Sequence, residues 1–161
     1  MTTELLSKSA RQEIDKWIAK YPKEQKQSAV LPALHIVQDG NEGWLPREML
    51  DSVADYLEMP RIAVYEVATF YSMFDLEKVG ENKINVCTNV SCQLRGSEKV
   101  VEHFENRLGV KLGETTEDGK FTLREVECLA ACTNAPMCQI NKAYYENLTP
   151  EKIDKILEEL N

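Results

Sequence analysis

Apolar residues in the first 75 positions recur at helical spacing, and prolines divide this pattern into four segments. The spacing predicts helices over residues 9–21, with Ser9 as the cap, and over 26–38, 47–58 and 61–73. Pro22 ends the first helix, and Pro32 marks a kink or a later start in the second, because proline cannot donate an interior helical hydrogen bond. Pro46 and Pro60 open the other two helices, where the fixed φ of proline suits a helix start. We therefore expect a helical bundle.

The apolar period changes after residue 80. Residues 83–87 and 121–126 alternate polar and apolar side chains, as half-buried strands do. Further elements are a helix over 97–108, two short strands over 137–141 and 143–145, and a last helix over 151–160. We read the order as four helices followed by β-α-β-β-α, with a boundary near residues 79–82. The chain is thus predicted to be an α+β protein, with a helical bundle in residues 1–80 and a second domain in residues 81–161.

The composition is that of a soluble globular protein, with 43% hydrophobic and 29% charged residues. The net charge of −8 is shared equally between the two predicted domains, and neither contains a basic patch. Nucleic acids and anionic membranes are therefore not expected as partners, because both attract clustered lysine and arginine. No apolar run approaches the ~20 residues that span a bilayer, and residues 1–10 do not resemble a signal peptide. We expect a cytoplasmic protein without direct membrane insertion.

Four cysteines form two close pairs, Cys87 with Cys92 and Cys128 with Cys132, and 35 residues separate the pairs. Each pair lies where a predicted strand ends, with Cys92 in a polar loop, so neighbouring strands would bring both loops together. Four thiolates are the usual ligand set of a [2Fe–2S] cluster, and zinc accepts the same set. The Cys-x4-Cys spacing favours iron–sulfur and leaves zinc open. A disulfide framework is disfavoured, because cytosolic thiols are kept reduced.

The fifth cysteine, Cys138, lies in one of the short predicted strands. We interpret it as a small buried apolar residue, and the alternative is that it replaces Cys128 or Cys132 as a ligand. His35 and His103 lie in predicted helices and are interpreted as surface or packing residues. The sequence contains no glycine-rich phosphate-binding motif and no nucleophile elbow. No catalytic residue is therefore predicted, and a one-electron carrier would need none.

The cysteine segments resemble one protein family. Cys87-Thr-Asn-Val-Ser-Cys92 followed by Gly96, and Cys128-Leu-Ala-Ala-Cys132-Thr-Asn-Ala-Pro-Met137, are similar to the E-type component of NADH–quinone oxidoreductase, the respiratory complex I. Segments 66–74, 116–123 and 144–150 also match, so the resemblance covers about residues 25–155. It implies that residues 81–161 form a thioredoxin-like [2Fe–2S] ferredoxin domain. It also implies that Cys87, Cys92, Cys128 and Cys132 hold one [2Fe–2S] cluster.

The resemblance further implies an electron-transfer role inside a larger oxidoreductase. The chain would exchange single electrons with the FMN of a flavoprotein NADH-binding subunit, and a large iron–sulfur subunit would be its second partner. FMN and NADH would be bound by the flavoprotein and not by this chain, which alone has no complete active site. The complex would keep the chain in the cytoplasm, peripheral to the inner membrane. One alternative is the equivalent subunit of a soluble NAD-linked hydrogenase or formate dehydrogenase, and one of a different class is a zinc-stabilised interaction module.

Two positions depart from the family pattern. Ala130 stands where the family usually has glycine, so a methyl group is added near the expected cluster. Cys138 stands where an apolar residue is usual, which agrees with its interpretation as a buried side chain.

Overall fold

The computed structural model describes residues 5–160. The chain divides into two compact units between Lys78 and Val79. Each unit has an apolar core of its own. Within residues 5–160, no helix combines the length and the apolar character that crossing a membrane requires.

The first unit contains four α-helices, which are α1 (Lys8–Ile18), α2 (Val30–Asp39), α3 (Arg47–Leu57) and α4 (Arg61–Phe70). The cap of α1 is Ser7 and not the predicted Ser9, because the Ser7 Oγ accepts a hydrogen bond from the Ala10 amide at 3.1 Å. The second helix begins later than predicted, since residues 23–29 form a 3₁₀ segment. Pro32 is therefore in the first turn of α2, where its missing amide leaves no helical acceptor without a donor.

The core of the first unit is built from the apolar stripes of these helices. Its largest fully buried side chains are Ile14, Leu34, Leu45, Leu57, Val53 and Val64. Burying one such side chain stabilises the fold by about 1.5–3 kcal/mol. The helical periodicity of the sequence is therefore explained by a single shared core.

The second unit consists of β1 (Asn82–Cys87), α5 (Val90–Leu94), α6 (Ser97–Leu108), β2 (Phe121–Val126), β3 (Cys138–Ile140), β4 (Ala143–Tyr145) and α7 (Pro150–Leu160). The sheet order is β2-β1-β3-β4. β1 and β2 are parallel, β3 is antiparallel to β1, and β4 is antiparallel to β3. The α+β prediction is confirmed. The predicted order β-α-β-β-α was incomplete, because it omitted one of the four strands and the short helix α5.

The core of the second unit is formed by the sheet together with α6 and α7. Ile84 and Leu123 from β1 and β2 meet Phe104 of α6 and Ile153 of α7, and all four side chains are fully or almost fully buried. The parallel pair β1 and β2 is thus held in place by packing, and this pair positions the cysteines.

Candidate metal centre

The parallel pairing of β1 and β2 places both cysteine loops at one edge of the sheet. Cys87 is the last residue of β1 and is in register with Val126, the last residue of β2. Cys128 follows Val126 by two residues, and Cys92 lies in the segment that follows Cys87. The Thr88 amide donates to the Val126 carbonyl at 3.2 Å, which keeps the two segments adjacent beyond the strands. The two loops therefore leave the sheet side by side, as expected from the sequence.

Cys87 and Cys92, here called the buried pair, are only 2% and 1% exposed. They share a small apolar cluster with Ala135 and Met137. Cys92 lies within the five-residue helix α5 and not in the polar loop that the sequence predicted. The Asn89 side chain caps this helix by accepting a hydrogen bond from the next amide at 2.8 Å. The short helix thus turns the Cys92 side chain inward.

The surroundings of Cys92 favour its neutral thiol. Burial raises the pKa of Cys92 to about 11, and its hydrogen bond with the Cys87 thiol acts in the same direction. The Met137 amide donates to the Cys92 sulfur and lowers this pKa, while the charge of Cys132 raises it. A metal bound at Cys92 would therefore displace a proton. The influence of Cys132 also indicates that the second pair lies near the first.

Cys128 and Cys132, here called the exposed pair, lie at the surface of the same edge. The Ala130 amide donates to the Cys128 sulfur at 3.3 Å. Leu129 and Ala131 from the same loop pack against the apolar cluster that contains the buried pair. The loop thus covers the buried pair with its apolar side chains and leaves its own two thiols accessible.

Hydrogen bonds anchor the segment that follows the exposed pair. The Cys87 amide donates to the Met137 carbonyl at 3.2 Å, and the Asn147 amide donates to the Asn134 carbonyl at 2.7 Å. The Asn134 side chain also donates to the Glu146 carboxylate at 2.8 Å. These contacts fix the second cysteine loop relative to the end of β1.

The donor set fits a two-iron cluster better than a single ion. A [2Fe–2S] cluster takes four thiolates divided between its two irons, whereas a structural zinc ion needs four donors around one point. Among the described residues, no three or more His, Cys, Asp or Glu side chains are placed to hold a metal ion. The structure therefore presents two thiol pairs at one edge, and it does not bring all four sulfurs around a common point.

Cys138 lies outside this centre. It is fully buried in β3, in register with Val86 on one side and with Tyr145 on the other. It belongs to the main core of the second unit and not to the cluster around the buried pair. Burial raises the pKa of its thiol to about 12. The interpretation of Cys138 as a buried apolar residue is confirmed, and its packing does not favour exchange with Cys128 or Cys132.

Both histidines have structural contacts. The His35 ring lies against Phe74, with 4.9 Å between the ring centroids. The His103 Nε2 lies 2.8 Å from the Asp154 Oδ1, which joins α6 to α7. The prediction that these residues have packing or surface roles is confirmed.

Sequence reasoning missed the two backbone donors of the centre. The amides of Ala130 and Met137 reach the sulfurs of Cys128 and Cys92. An amide donor carries no side-chain signature, so only the loop conformation reveals it. The nearest signal in the sequence was the unusual residue type at position 130.

Comparisons with known proteins point to the same chemistry. The family model for thioredoxin-like [2Fe–2S] ferredoxin matches residues 14–161. The E-type component of NADH-quinone oxidoreductase from Rickettsia felis is 55% identical over 142 residues, which are 88% of this chain and 85% of that protein. NADH dehydrogenase [ubiquinone] flavoprotein 2, mitochondrial, from Dictyostelium discoideum is 46% identical over 147 residues, which are 91% of this chain and 60% of that protein.

One solved structure with a similar fold is an NAD+-reducing [NiFe]-hydrogenase in the air-oxidized state. It matches with a TM-score of 0.71 over 81% of this chain and 22% of the hydrogenase chain, at 21% sequence identity. At this identity the likeness shows a shared fold and nothing about shared chemistry.

Proposed function

The chain belongs to the thioredoxin-like [2Fe–2S] ferredoxin family, and on this basis we propose that it is an electron-transfer subunit of an NADH–quinone oxidoreductase. The observation that carries the proposal is the meeting of two cysteine pairs at one sheet edge of this fold. Four thiolates at such an edge suffice to hold one [2Fe–2S] cluster. When bound, this cluster supplies one-electron oxidation and reduction.

We propose Cys87, Cys92, Cys128 and Cys132 as the four ligands. The buried pair would hold its side of the cluster away from water, and the exposed pair would leave the other side open to a partner. The amides of Ala130 and Met137 donate to sulfurs of this set. Hydrogen bonds to ligand sulfurs favour the more negative, reduced state and so tune the reduction potential.

The proposed partners are a flavoprotein NADH-binding subunit and a large iron–sulfur subunit. FMN and NADH would belong to the flavoprotein, and the assembled complex would hold this chain peripheral to the inner membrane. The names of the relatives at 46% to 55% identity support this assignment. We also propose that residues 1–80 act as a helical domain and residues 81–161 as the ferredoxin domain, and the division between Lys78 and Val79 supports this boundary.

Two other functions have less support. The equivalent subunit of an NAD-linked hydrogenase or formate dehydrogenase rests on the hydrogenase likeness, which at 21% identity concerns the fold alone. A zinc-stabilised interaction module would require four donors around one ion. The division of the thiols into a buried and an exposed pair does not favour that arrangement.

The proposal is tested by analysing iron, acid-labile sulfide and zinc in anaerobically purified protein. We expect about two irons and about two sulfides per chain, and an EPR signal from one unpaired spin after reduction with dithionite. One zinc per chain, with no sulfide and no EPR signal, would overturn the electron-transfer function.

The ligand assignment is tested separately with the Cys92→Ala variant and with Cys138→Ala as the matched control. Loss of one of four thiolates should remove most of the iron and the EPR signal, whereas loss of the buried Cys138 should leave both in place. A Cys92→Ala protein with full iron, full sulfide and an unchanged spectrum would show that Cys92 is not a ligand.

A further inference from the structure

A cavity of about 450 Å³ lies next to the cysteine loops in the second unit. Its wall includes Thr88 and Gln93, which directly follow the two cysteines of the buried pair in the sequence. The rest of the wall comes from α6, from Leu112 and from Glu125 of β2. The cavity therefore adjoins the proposed metal centre.

The cavity is acidic. Among the described residues, four glutamates line it and no lysine, arginine or histidine does; the glutamates are Glu98, Glu102, Glu105 and Glu125. Glu105 forms an ion pair with Lys111 at 2.8 Å. Glu98 and Glu125 accept hydrogen bonds from uncharged donors, the Gln93 amide at 3.1 Å and the Thr88 hydroxyl at 3.4 Å. The wall thus presents more negative charge than its own contacts neutralise.

Ser97 supplies an independent sign that this cavity receives a polar group. It is the first residue of α6, it lies in the cavity wall, and it is only 1% exposed. Its Oγ has no hydrogen-bond partner among residues 5–160. Buried hydroxyls in native proteins are almost always hydrogen-bonded, because leaving one unpaired is unfavourable. We infer that a polar group from another molecule completes this site.

We propose that the cavity receives an arginine side chain of the flavoprotein subunit, an inference that rests on the proposed function above. A guanidinium offers five N–H donors in one plane, which suits several carboxylates and a hydroxyl spread around a wide cavity. Val101 and Leu112 in the wall give its methylene groups an apolar surface.

A divalent cation fits the cavity less well than a guanidinium. Magnesium and calcium need several oxygen ligands that converge at 2.0–2.6 Å. In the part of the chain that the structure describes, no group of three or more metal-ligating side chains has that arrangement. The carboxylates are instead spread over two elements, as hydrogen-bond acceptors for an extended cationic group would be.

An arginine in this position would orient the partner at the edge that carries the thiol pairs. Complementary charge accelerates association and fixes the register of two proteins. The cavity would therefore determine which face of the flavoprotein meets the metal centre.

The experiment measures the dissociation constant of the cluster-loaded full chain for the purified flavoprotein subunit at several salt concentrations. Glu102→Gln should weaken binding about tenfold at low salt and reduce its salt dependence. Ser97→Ala should weaken binding about threefold without altering the salt dependence, because it removes a hydrogen bond and no charge. Glu158→Gln, an exposed site on α7 with the same charge change, is the matched control and should change binding less than about twofold.

The proposal is overturned if either cavity variant binds as the control does. In particular, unchanged binding by Ser97→Ala together with a higher melting temperature would show that the unpaired hydroxyl is only a packing defect. Magnesium binding to the chain that Glu102→Gln abolishes would assign the cavity to a cation and would also overturn it. A wild-type chain that does not bind the flavoprotein at all would overturn the proposed function itself, and this result differs from a failure of the variants alone.

Discussion

At the residue scale, Ala130 has the least favourable backbone conformation in the candidate centre. Its φ is +59°, in the left-handed region, where a Cβ atom costs an L-residue about 1–2 kcal/mol. This conformation directs the Ala130 amide to the Cys128 sulfur at 3.3 Å. The family that the sequence resembles usually has glycine here, and glycine adopts this conformation without that cost. The alanine therefore carries strain that the loop geometry imposes.

Replacing Ala130 with glycine should relieve this strain. We expect Ala130→Gly to raise the free energy of unfolding by about 0.5–1 kcal/mol, since the relief exceeds the added entropy of glycine in the unfolded chain. The measurement is chemical denaturation under anaerobic conditions. Ala131→Gly is the control: Ala131 has an ordinary φ of −110°, so only the entropic loss applies and the protein should become less stable. A loss of stability in both variants would contradict the strain at Ala130.

At the element scale, side-chain hydrogen bonds connect helices that are distant in sequence. The Tyr56 hydroxyl on α3 donates to the Asp15 carboxylate on α1 at 2.8 Å. Burial raises the pKa of Tyr56 from its ordinary value of 10.0 to about 12, and the hydrogen bond to Asp15 adds to the effect. The protonated phenol is thus favoured by the folded state. Its contribution to stability is complete below pH 10 and is lost as the pH rises through about 12.

Removing the Tyr56 hydroxyl should change the pH dependence of unfolding in a defined direction. We expect Tyr56→Phe to lower the free energy of unfolding by about 0.5–1.5 kcal/mol near neutral pH. Between pH 10 and 12 the wild type should lose stability more steeply, so the difference between the two proteins should shrink. Urea denaturation at several pH values gives this difference, and Asp15→Asn should reduce it. Parallel stability curves for wild type and Tyr56→Phe would exclude the expected linkage.

The sequence predicted most elements because their signals are local. Prolines and apolar periodicity located α3 and α4 closely at their starts, and alternation located β1 and β2. The helix α5 was missed because five residues are too few to show a helical period. The strand order could not be predicted, since pairing of β1 with both β2 and β3 depends on contacts distant in sequence. The cysteine loops were nevertheless placed at one edge, because Cys87 and Cys128 both lie at strand ends.

At the scale of the whole molecule, the two units differ in what holds them together. The first unit has one core shared by its four helices. The second unit has a main core and a separate small cluster around the buried pair. Units of roughly 80 residues have only a modest margin of stability from a single core. We therefore expect the proposed cluster to stabilise the second unit more than the first.

Removing the metal should thus expose amides locally. After anaerobic chelation of iron, we expect hydrogen exchange to become roughly tenfold faster or more in α5 and in residues 127–137, because a ligand that binds only the folded state contributes directly to stability. The amides of α2 and α3 should change little. Mass spectrometry of the loaded and the chelated chain measures both regions in one sample.

The matched control for chelation is the Cys138→Ala protein with its iron retained, in which the thiol loops should stay protected. If exchange rises equally in α2, in α3 and around the thiols, the two units unfold as one, and the cluster stabilises the whole chain. If exchange does not change around the thiols, the loops are held by their own hydrogen bonds, such as that between the Asn147 amide and the Asn134 carbonyl. A faster exchange confined to the cysteine edge would show that metal binding and the order of these loops are coupled.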